Sequence, residues 1–238
     1  MNLVLDFGNT RIKAGLFDGE ILKKTLADND IYALLNRLND FTFDHIMLAT
    51  VVELPKETLE FLKTKGKLSF FEASTPTPLS NYYQSVNTLG SDRLASACGA
   101  YLQFKGNAFL VIDAGTCIKY NYTDKNGCFL GGGISPGLAM RFKALHEQTN
   151  KLPLISFDAD YIGLIGSNTQ NSIRMGVQLG IIAEVRGIIE EYKQLNSAVN
   201  IVLTGGDAPF LQKGLKNGIF ADLDLILKGL NSILNYQQ

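Results

Sequence analysis

Two short turns in this sequence carry the residue types that bind metal-bound phosphate. One turn, Asp113-Ala114-Gly115-Thr116, follows the apolar run 109–112 and precedes an alternating stretch. A strand that ends in this way places a carboxylate, a free backbone amide and a hydroxyl together. The other turn, Asp6-Phe7-Gly8-Asn9-Thr10, follows the apolar Leu3-Val4-Leu5 and precedes a second alternating stretch. One Asp-x-Gly is also a common hairpin turn, but two copies with matching flanks favour two related halves.

Two further segments could complete such a site. Asp92 and Arg93 follow an irregular stretch, 73–89, and precede a run of small residues that favours a tightly packed helix. A helix N-terminus favours an anion, although an Asp there is usually only a cap. Phosphate transfer to a hydroxyl needs a base, and Asp92 is the candidate because it lies beside an Arg at a predicted helix start. Thr204-Gly205-Gly206-Asp207 follows another buried strand, so three turns could surround one nucleotide.

The elements that would position these residues alternate between strands and helices. Besides the opening hairpin, strands are predicted at 20–26, 44–52, 67–71, 109–113, 116–122, 128–133 and 199–203. Helices are predicted from 31, at 55–65, at 94–102, from 134 to about 148, at 167–193 and at 222–236. The glycines at 131–133 let backbone approach a ligand closely, although glycine clusters also mark plain turns. The alternation predicts an α/β fold of two halves, 1–107 and 108–238.

Composition narrows the class of protein. The chain has 238 residues, of which 46% are hydrophobic and 19% charged, so it can bury a substantial core. Lys and Arg number 22 against 23 Asp and Glu, which gives no footprint for nucleic acid or for an anionic membrane. Three widely spaced cysteines argue against a disulfide framework or a zinc site. We expect a cytoplasmic protein whose partners are small molecules or protein.

Several motifs of other enzyme classes are missing from the sequence. There is no Gly-x-x-x-x-Gly-Lys-[Ser/Thr] loop and no Gly-x-Gly-x-x-Gly fingerprint. The chain has only two histidines, His45 and His146, and they lack metal-ligand spacing. These absences exclude a Walker-type enzyme and a dinucleotide-binding fold, and they disfavour a hydrolase triad.

Taken together and in chain order, six motifs resemble those of the type III pantothenate kinases, a family in the acetate and sugar kinase/Hsp70/actin superfamily. The motifs are Asp6 to Lys13, Gly90-Ser91-Asp92-Arg93, Asp113 to Thr116, Gly131 to Gly137, Leu152-Pro153 and Thr204-Gly205-Gly206. The resemblance covers nearly the whole chain. It implies a duplicated actin-like (ribonuclease H-like) ATPase fold with mixed sheets flanked by helices. The implied reaction is ATP-dependent phosphorylation of pantothenate to 4′-phosphopantothenate, the first step of coenzyme A biosynthesis.

The resemblance also implies a role for each matching residue. Asp92 would be the catalytic base, and Asp6 would lie near Mg²⁺. Asp113 would bind a monovalent cation, K⁺ or NH₄⁺. The ATP contacts would be Asp6, Phe7, Gly8, Asn9, Thr10, Arg11, Ile12, Lys13 and Thr116. The pantothenate contacts would be Tyr83, Gly90, Ser91, Asp92, Arg93 and Thr169.

The sequence departs from the family pattern after Asp113. The family usually continues with a Thr-rich strand that ends in Asp, whereas this chain has Lys119 and Asn121. Lys119 adds a positive charge and Asn121 removes a negative one, which bears directly on the cation requirement. The family is dimeric, so small residues in the helix predicted at 167–193 are candidates for a subunit interface.

Two other functions compete with pantothenate phosphorylation. One is a different kinase of the superfamily that acts on a sugar or another small hydroxyl compound. The other is a nucleotide-binding regulator that has kept the fold and lost turnover. Asp92 argues against the regulator, because a degenerate protein is expected to lose its base before its phosphate turns.

Overall fold

The computed structural model describes residues 1–8, 11–50, 52–72, 74–161, 163–215 and 219–238. The chain divides by its contacts into two compact units, each of which combines separate stretches. Unit 1 consists of Met1–Phe109, Asn121–Gly131 and Asp224–Gln238, and unit 2 of Leu110–Tyr120 and Gly132–Leu223. The predicted halves, 1–107 and 108–238, describe a repeat along the sequence, whereas the two units are defined by contacts. The bounds of the halves therefore stay a prediction.

Unit 1 is built on a five-stranded sheet. Its strands are β1 (Asn2–Phe7), β2 (Ile12–Asp18), β3 (Ile21–Asp28), β4 (His45–Thr50) and β5 (Lys67–Phe70), in the order β3-β2-β1-β4-β5. Strand β1 is antiparallel to β2 and parallel to β4. The run Leu3-Val4-Leu5 is fully buried, as its apolar composition predicts for a central strand.

Two helices of unit 1 begin where local capping signals predict. These are α1 (Ile31–Asn36) and α2 (Lys56–Lys65). The side chain of Asp30 accepts a hydrogen bond from the Tyr32 amide at 2.9 Å and thereby caps α1. Pro55 precedes α2 and Gly66 follows it, which is the expected placement of these two residues around a helix. Leu34, Leu35 and Leu62 are buried in the core cluster over the sheet.

The rest of unit 1 includes a helix from the segment Asp224–Gln238. It contains β6 (Ser80–Asn81), a 3-10 turn (Val86–Thr88), α3 (Ser91–Phe104), β9 (Cys128–Gly131) and α8 (Leu225–Tyr236). A Cβ on Gly99 would lie 2.1 Å from the Leu225 carbonyl oxygen, and one on Gly229 would lie 1.8 Å from that of Ala95. Helices α3 and α8 are therefore in backbone contact that only glycine permits.

The second sheet repeats the strand order of the first. It contains β7 (Phe109–Ala114), β8 (Cys117–Thr123), β11 (Asn200–Thr204) and β12 (Phe220–Ala221), in the order β12-β11-β7-β8-β9-β6, while β10 (Ile134–Pro136) pairs with β8. The path β9-β8-β7-β11-β12 matches β3-β2-β1-β4-β5 position for position. The duplication predicted from the two Asp-x-Gly turns is thus present in the topology.

The helices of unit 2 differ in detail from the sequence predictions. They are α4 (Leu138–Glu147), α5 (Thr169–Arg174), α6 (Gly180–Leu195) and α7 (Ala208–Leu215). The predicted helix start at 134 is wrong, because 134–136 pairs with β8 as β10. Helix α7 and strand β12 are absent from the sequence predictions. The three cysteines are free; Cys98 is buried, whereas Cys117 and Cys128 are only partly buried.

The long helix predicted at 167–193 is interrupted by a π-helical turn, Met175–Leu179. Gln178 in this turn is buried, donates from Nε2 to the Asp158 carbonyl oxygen at 2.8 Å, and accepts from the Asp158 amide at 3.1 Å. The extra residue in the turn aims Gln178 at the irregular segment before the helix. In the described part of the chain, no helix combines the length and apolarity needed to cross a membrane.

Candidate active site

The first Asp-x-Gly turn places a carboxylate and a lysine on neighbouring strands. Asp6 near the end of β1 is paired in register with Lys13 on β2, and both side chains are half-buried. A Cβ on Gly8 would lie 3.2 Å from the Arg11 carbonyl oxygen, so the turn is tight at this glycine. Asn9, like Thr10, is a predicted phosphate contact that lies outside the described residues.

The other predicted ATP contacts of this turn divide into core and surface residues. Phe7 and Ile12 are 1% and 9% exposed and belong to the hydrophobic core cluster. Only their backbone groups are therefore available to a nucleotide. Arg11 is exposed and Lys13 is half-buried, so these are the side chains that can offer positive charge to phosphate.

Asp92 lies in the first turn of α3, where the helix dipole favours an anion. Its Oδ1 accepts a hydrogen bond from the Arg93 amide at 2.9 Å. A Cβ on Gly90 would lie 2.6 Å from the same Oδ1. Glycine at this position therefore leaves the space that the carboxylate occupies, which gives the Gly-x-Asp-Arg spacing a steric reason.

Arg93 connects the predicted substrate residues of unit 1. Its buried side chain donates from Nε to Asn121 Oδ1 at 2.7 Å and from a terminal nitrogen to the Tyr83 hydroxyl at 3.4 Å. The guanidinium carbon lies 5.2 Å from the centre of the Tyr83 ring. The structure thus brings together Tyr83 and the segment from Gly90 to Arg93, which are separate in the sequence. Asn121, a departure from the family pattern, is a neutral partner of the arginine.

A glycine in β9 makes room for the Tyr83 ring. Gly131 has φ +88°, and a Cβ there would lie 2.7 Å from the ring of Tyr83. The same strand pairs with β6, which precedes the tyrosine. The glycine cluster at 131–133 therefore has a packing role in addition to any ligand role.

The second Asp-x-Gly turn, in unit 2, is closed by an ion pair. Asp113 is 4% exposed, and its Oδ2 accepts a hydrogen bond from Lys119 Nζ at 2.6 Å. A Cβ on Gly205 would lie 2.7 Å from Asp113 Oδ1 and 2.2 Å from the Ala114 carbonyl oxygen. The Asp207 amide donates to that carbonyl oxygen at 2.9 Å. The turn at 204–207 is therefore packed directly against Asp113, and burial raises the pKa of the Asp207 carboxyl.

The remaining predicted contacts of unit 2 are on its surface. Thr116 is exposed, and its carbonyl oxygen accepts a hydrogen bond from the Gly137 amide at 3.1 Å. A Cβ on Gly137 would lie 2.4 Å from this oxygen, so the glycine allows close backbone approach. Thr169 is exposed at the start of α5, which the side chain of Asn168 caps.

Sequence reasoning missed a polar cluster around Glu184 of α6. The carboxylate accepts hydrogen bonds from the Tyr120 hydroxyl at 3.0 Å and the Ser135 hydroxyl at 2.6 Å, and it pairs with Arg141. Burial alone would raise the pKa of Glu184, but the bonds from Ser135, Arg141 and Tyr120 outweigh it and lower that pKa. Burial beside Glu184 raises the pKa of Tyr120. A glutamate within a helix carries no motif, so only the fold reveals this cluster.

Comparison with solved structures identifies the fold. A glucokinase from an Antarctic psychrotroph has a TM-score of 0.52 at 12% identity, covering 99% of this chain and 98% of that chain. The ethanolamine utilization protein EutJ from Carboxydothermus hydrogenoformans has a TM-score of 0.53 at 13% identity, covering 97% and 89%. These likenesses show the fold alone. They confirm the predicted actin-like fold, which is shared with sugar kinases.

Sequence comparison defines the family. The model of the type III pantothenate kinase family matches residues 2–191. Proteins named type III pantothenate kinase from Flavobacterium johnsoniae and Bacteroides fragilis are 39% and 41% identical, covering 100% and 99% of this chain and 98% of each relative. A structure from Campylobacter jejuni, assigned to the Baf family of transcriptional activators, has a TM-score of 0.66 at 25% identity, covering 99% of this chain and 98% of that chain. The chain belongs to the type III pantothenate kinase family, and the resemblance of its motifs is confirmed.

Proposed function

We propose that this protein transfers the γ-phosphate of ATP to the primary hydroxyl of pantothenate, which forms 4′-phosphopantothenate for coenzyme A biosynthesis. Family membership supports this reaction. The observation that carries it is the arrangement at the start of α3, where Asp92 lies next to a buried Arg93 that holds Tyr83. This arrangement joins a base to groups that can bind a carboxylate and hydroxyl compound.

Asp92 accepts the proton of the pantothenate hydroxyl as that oxygen attacks the γ-phosphate. Gly90 leaves room for the carboxylate, and Ser91 lies in the same helix turn. Tyr83 and Arg93 bind pantothenate, and Thr169 stays a predicted contact. Because these groups position the hydroxyl rather than react, they contribute by orienting the acceptor in line with the phosphate.

ATP and Mg²⁺ fit the first turn. Mg²⁺ is usually held by one or two carboxylates together with phosphate oxygens, and Asp6 offers a half-buried carboxylate at a strand end. The backbone of Phe7, Gly8 and Ile12 and the side chains of Arg11 and Lys13 bind the phosphates, and Thr116 stays a predicted ATP contact. The metal supplies neutralisation of phosphate charge when it is bound.

A separate monovalent cation does not fit at Asp113 in the same way. The Oδ2 atom is taken by the Lys119 ammonium group, and Oδ1 lies against Gly205. The K⁺ or NH₄⁺ site on Asp113 remains a prediction. The ion pair with Lys119 already occupies one of the two carboxylate oxygens that such a cation would use.

A cytoplasmic homodimer is the remaining part of the proposal. Leu154, Leu164 and Ile165 in the segment before α5 are 61%, 74% and 85% exposed. Apolar side chains this exposed in one segment support a protein interface. No nucleic acid or membrane partner is proposed, in line with the balanced charge of the chain.

An ADP-release assay with pantothenate, and with glucose as the alternative acceptor, tests the reaction. We expect turnover with pantothenate and none with glucose. The Asp92→Asn variant should lose activity about 1,000-fold, because the amide cannot take the proton, while ATP binding measured by calorimetry persists. The control Asp18→Asn, at an exposed carboxylate of β2, should keep full activity. Near-normal turnover of Asp92→Asn would remove Asp92 as the base.

A further inference from the structure

The Asp113 carboxylate is enclosed on two sides within unit 2. Its side chain is 6% exposed and that of its partner Lys119 is 19% exposed. One oxygen meets the ammonium group at 2.6 Å, and the other lies against the Gly205 backbone, where even a methyl group would come within 2.7 Å. A carboxylate this buried requires a positive partner, because an unpaired charge in the interior is costly.

The backbone of Lys119 is held in place by a strand on one flank. Residue 119 is paired in register with Ile134 of β10. Strand β8 follows β7 after only two residues, Gly115 and Thr116, so the lysine and the aspartate are carried by neighbouring strands of one hairpin. The ion pair is therefore a contact between the two strands of one hairpin.

We propose that Lys119 serves as a built-in monovalent cation at Asp113, so that this kinase works without added K⁺ or NH₄⁺. The inference rests on the proposed kinase function and on the assignment of Asp113 as the cation position. The lysine head group is a substituted ammonium ion, and it places the same single positive charge against the same carboxylate. Lys119 is thus a positioning residue that keeps the second Asp-x-Gly turn in its active geometry without itself reacting.

The salt dependence of turnover tests the proposal first. Pantothenate phosphorylation is measured at constant ionic strength in potassium, ammonium, sodium or tetramethylammonium chloride. The wild-type rates in these salts should agree within about twofold, since the charge is supplied by the protein. Activation of the wild type by more than about tenfold in K⁺ or NH₄⁺ would overturn the proposal.

Removing the ammonium group should create a cation requirement. Lys119→Ala and Lys119→Thr should lose activity about 100-fold in tetramethylammonium chloride and regain most of it in ammonium or potassium chloride. Lys143→Ala, at an exposed lysine paired with Glu147, is the matched control and should respond to none of the salts. Failure of both Lys119 variants to be rescued, while they remain folded, would show that the lysine is only structural.

A binding measurement separates this inference from the kinase function. The melting temperature of the wild type should be the same in potassium and tetramethylammonium chloride, whereas that of Lys119→Ala should rise with potassium concentration. Absence of pantothenate turnover in every salt would contradict the proposed function, and the melting temperatures would still decide whether Lys119 occupies the cation position. A potassium-dependent rise in the wild type would contradict the inference.

Discussion

The two Asp-x-Gly turns share a motif and a place in the sheet, but they differ in length and in closure. Four residues, 8–11, join β1 to β2, whereas two residues, Gly115 and Thr116, join β7 to β8. Asp6 is half-buried, while Asp113 is 4% exposed and paired with Lys119. The proposed phosphate contacts are on the longer turn. The shorter turn is closed by the buried Asp113–Lys119 ion pair, so the same sequence motif has different surroundings in the two units.

Replacing each aspartate by asparagine should separate the two turns most strongly. Asp113→Asn leaves the largely buried Lys119 ammonium without its charge partner, and we expect a loss of about 3 kcal/mol in unfolding free energy. Asp6→Asn, at a half-buried carboxylate, should cost less than about 1 kcal/mol but should weaken MgATP binding. Urea unfolding and ATP titration measure the two effects. Equal destabilisation by both variants would break the comparison.

Two adjacent glycines probe how tightly the second turn is packed. Gly205 has φ +91°, and its Cβ would meet Ala114 and Asp113, so Gly205→Ala should lower stability by about 2 kcal/mol. Gly206→Ala is the matched control, since no atom lies within 4 Å of its Cβ. Thermal unfolding of both variants is the measurement. A neutral Gly205→Ala would mean that the turn can relax away from Asp113.

The ligand-binding character of unit 1 is tested by a smaller change. Tyr83→Phe removes the hydroxyl that accepts from Arg93 and should raise KM for pantothenate about fivefold with little loss of stability. Tyr82→Phe, at a tyrosine that is 64% exposed, is the control and should leave KM unchanged. If Tyr83→Phe instead lowers only stability, the tyrosine belongs to the packing and not to the substrate site.

Removal of the Glu184–Arg141 ion pair of unit 2 should have the smallest effect on stability, and this effect should depend on pH. The pKa of Glu184 is lowered in the folded state, so its contribution to stability is present above the pKa of the unfolded chain and is lost as pH falls through the folded value. The stability difference between wild type and Glu184→Gln should therefore be constant from about pH 7 to 5 and should shrink below about pH 4. Unfolding at pH 6 and pH 3 measures it. A difference that grows on acidification would contradict the assignment.

Local signals predicted much of the fold. The apolar strands with their Asp-x-Gly ends, the cap at Asp30 and the Pro55 and Gly66 boundaries act through neighbours in the sequence, and the structure contains all of them. The resemblance also paired Tyr83 with the segment that begins at Gly90, and the structure places Tyr83 on Arg93.

The features that sequence could not predict depend on contacts between distant residues. The Glu184 cluster joins Glu184 to residues 43 or more positions away. In the π-helical turn, Gln178 is hydrogen-bonded to a segment 20 residues earlier. Lys119 was visible as a departure from the family pattern, but only the geometry of β7 and β8 shows its ammonium group on Asp113.

The packing of α8 against β1 affects how this chain folds while it is being synthesised on the ribosome. Asn2 donates to Asn231 and Asn235 of α8, and Gly99 and Gly229 bring α3 and α8 into backbone contact. The first unit therefore lacks this helix until residues 225–236 have left the ribosome. Domains otherwise tend to fold from the N-terminus during synthesis. Here the strand at Asn2–Phe7 must wait for the helix at Leu225–Tyr236, so loss of that helix should leave the nascent chain in need of chaperones.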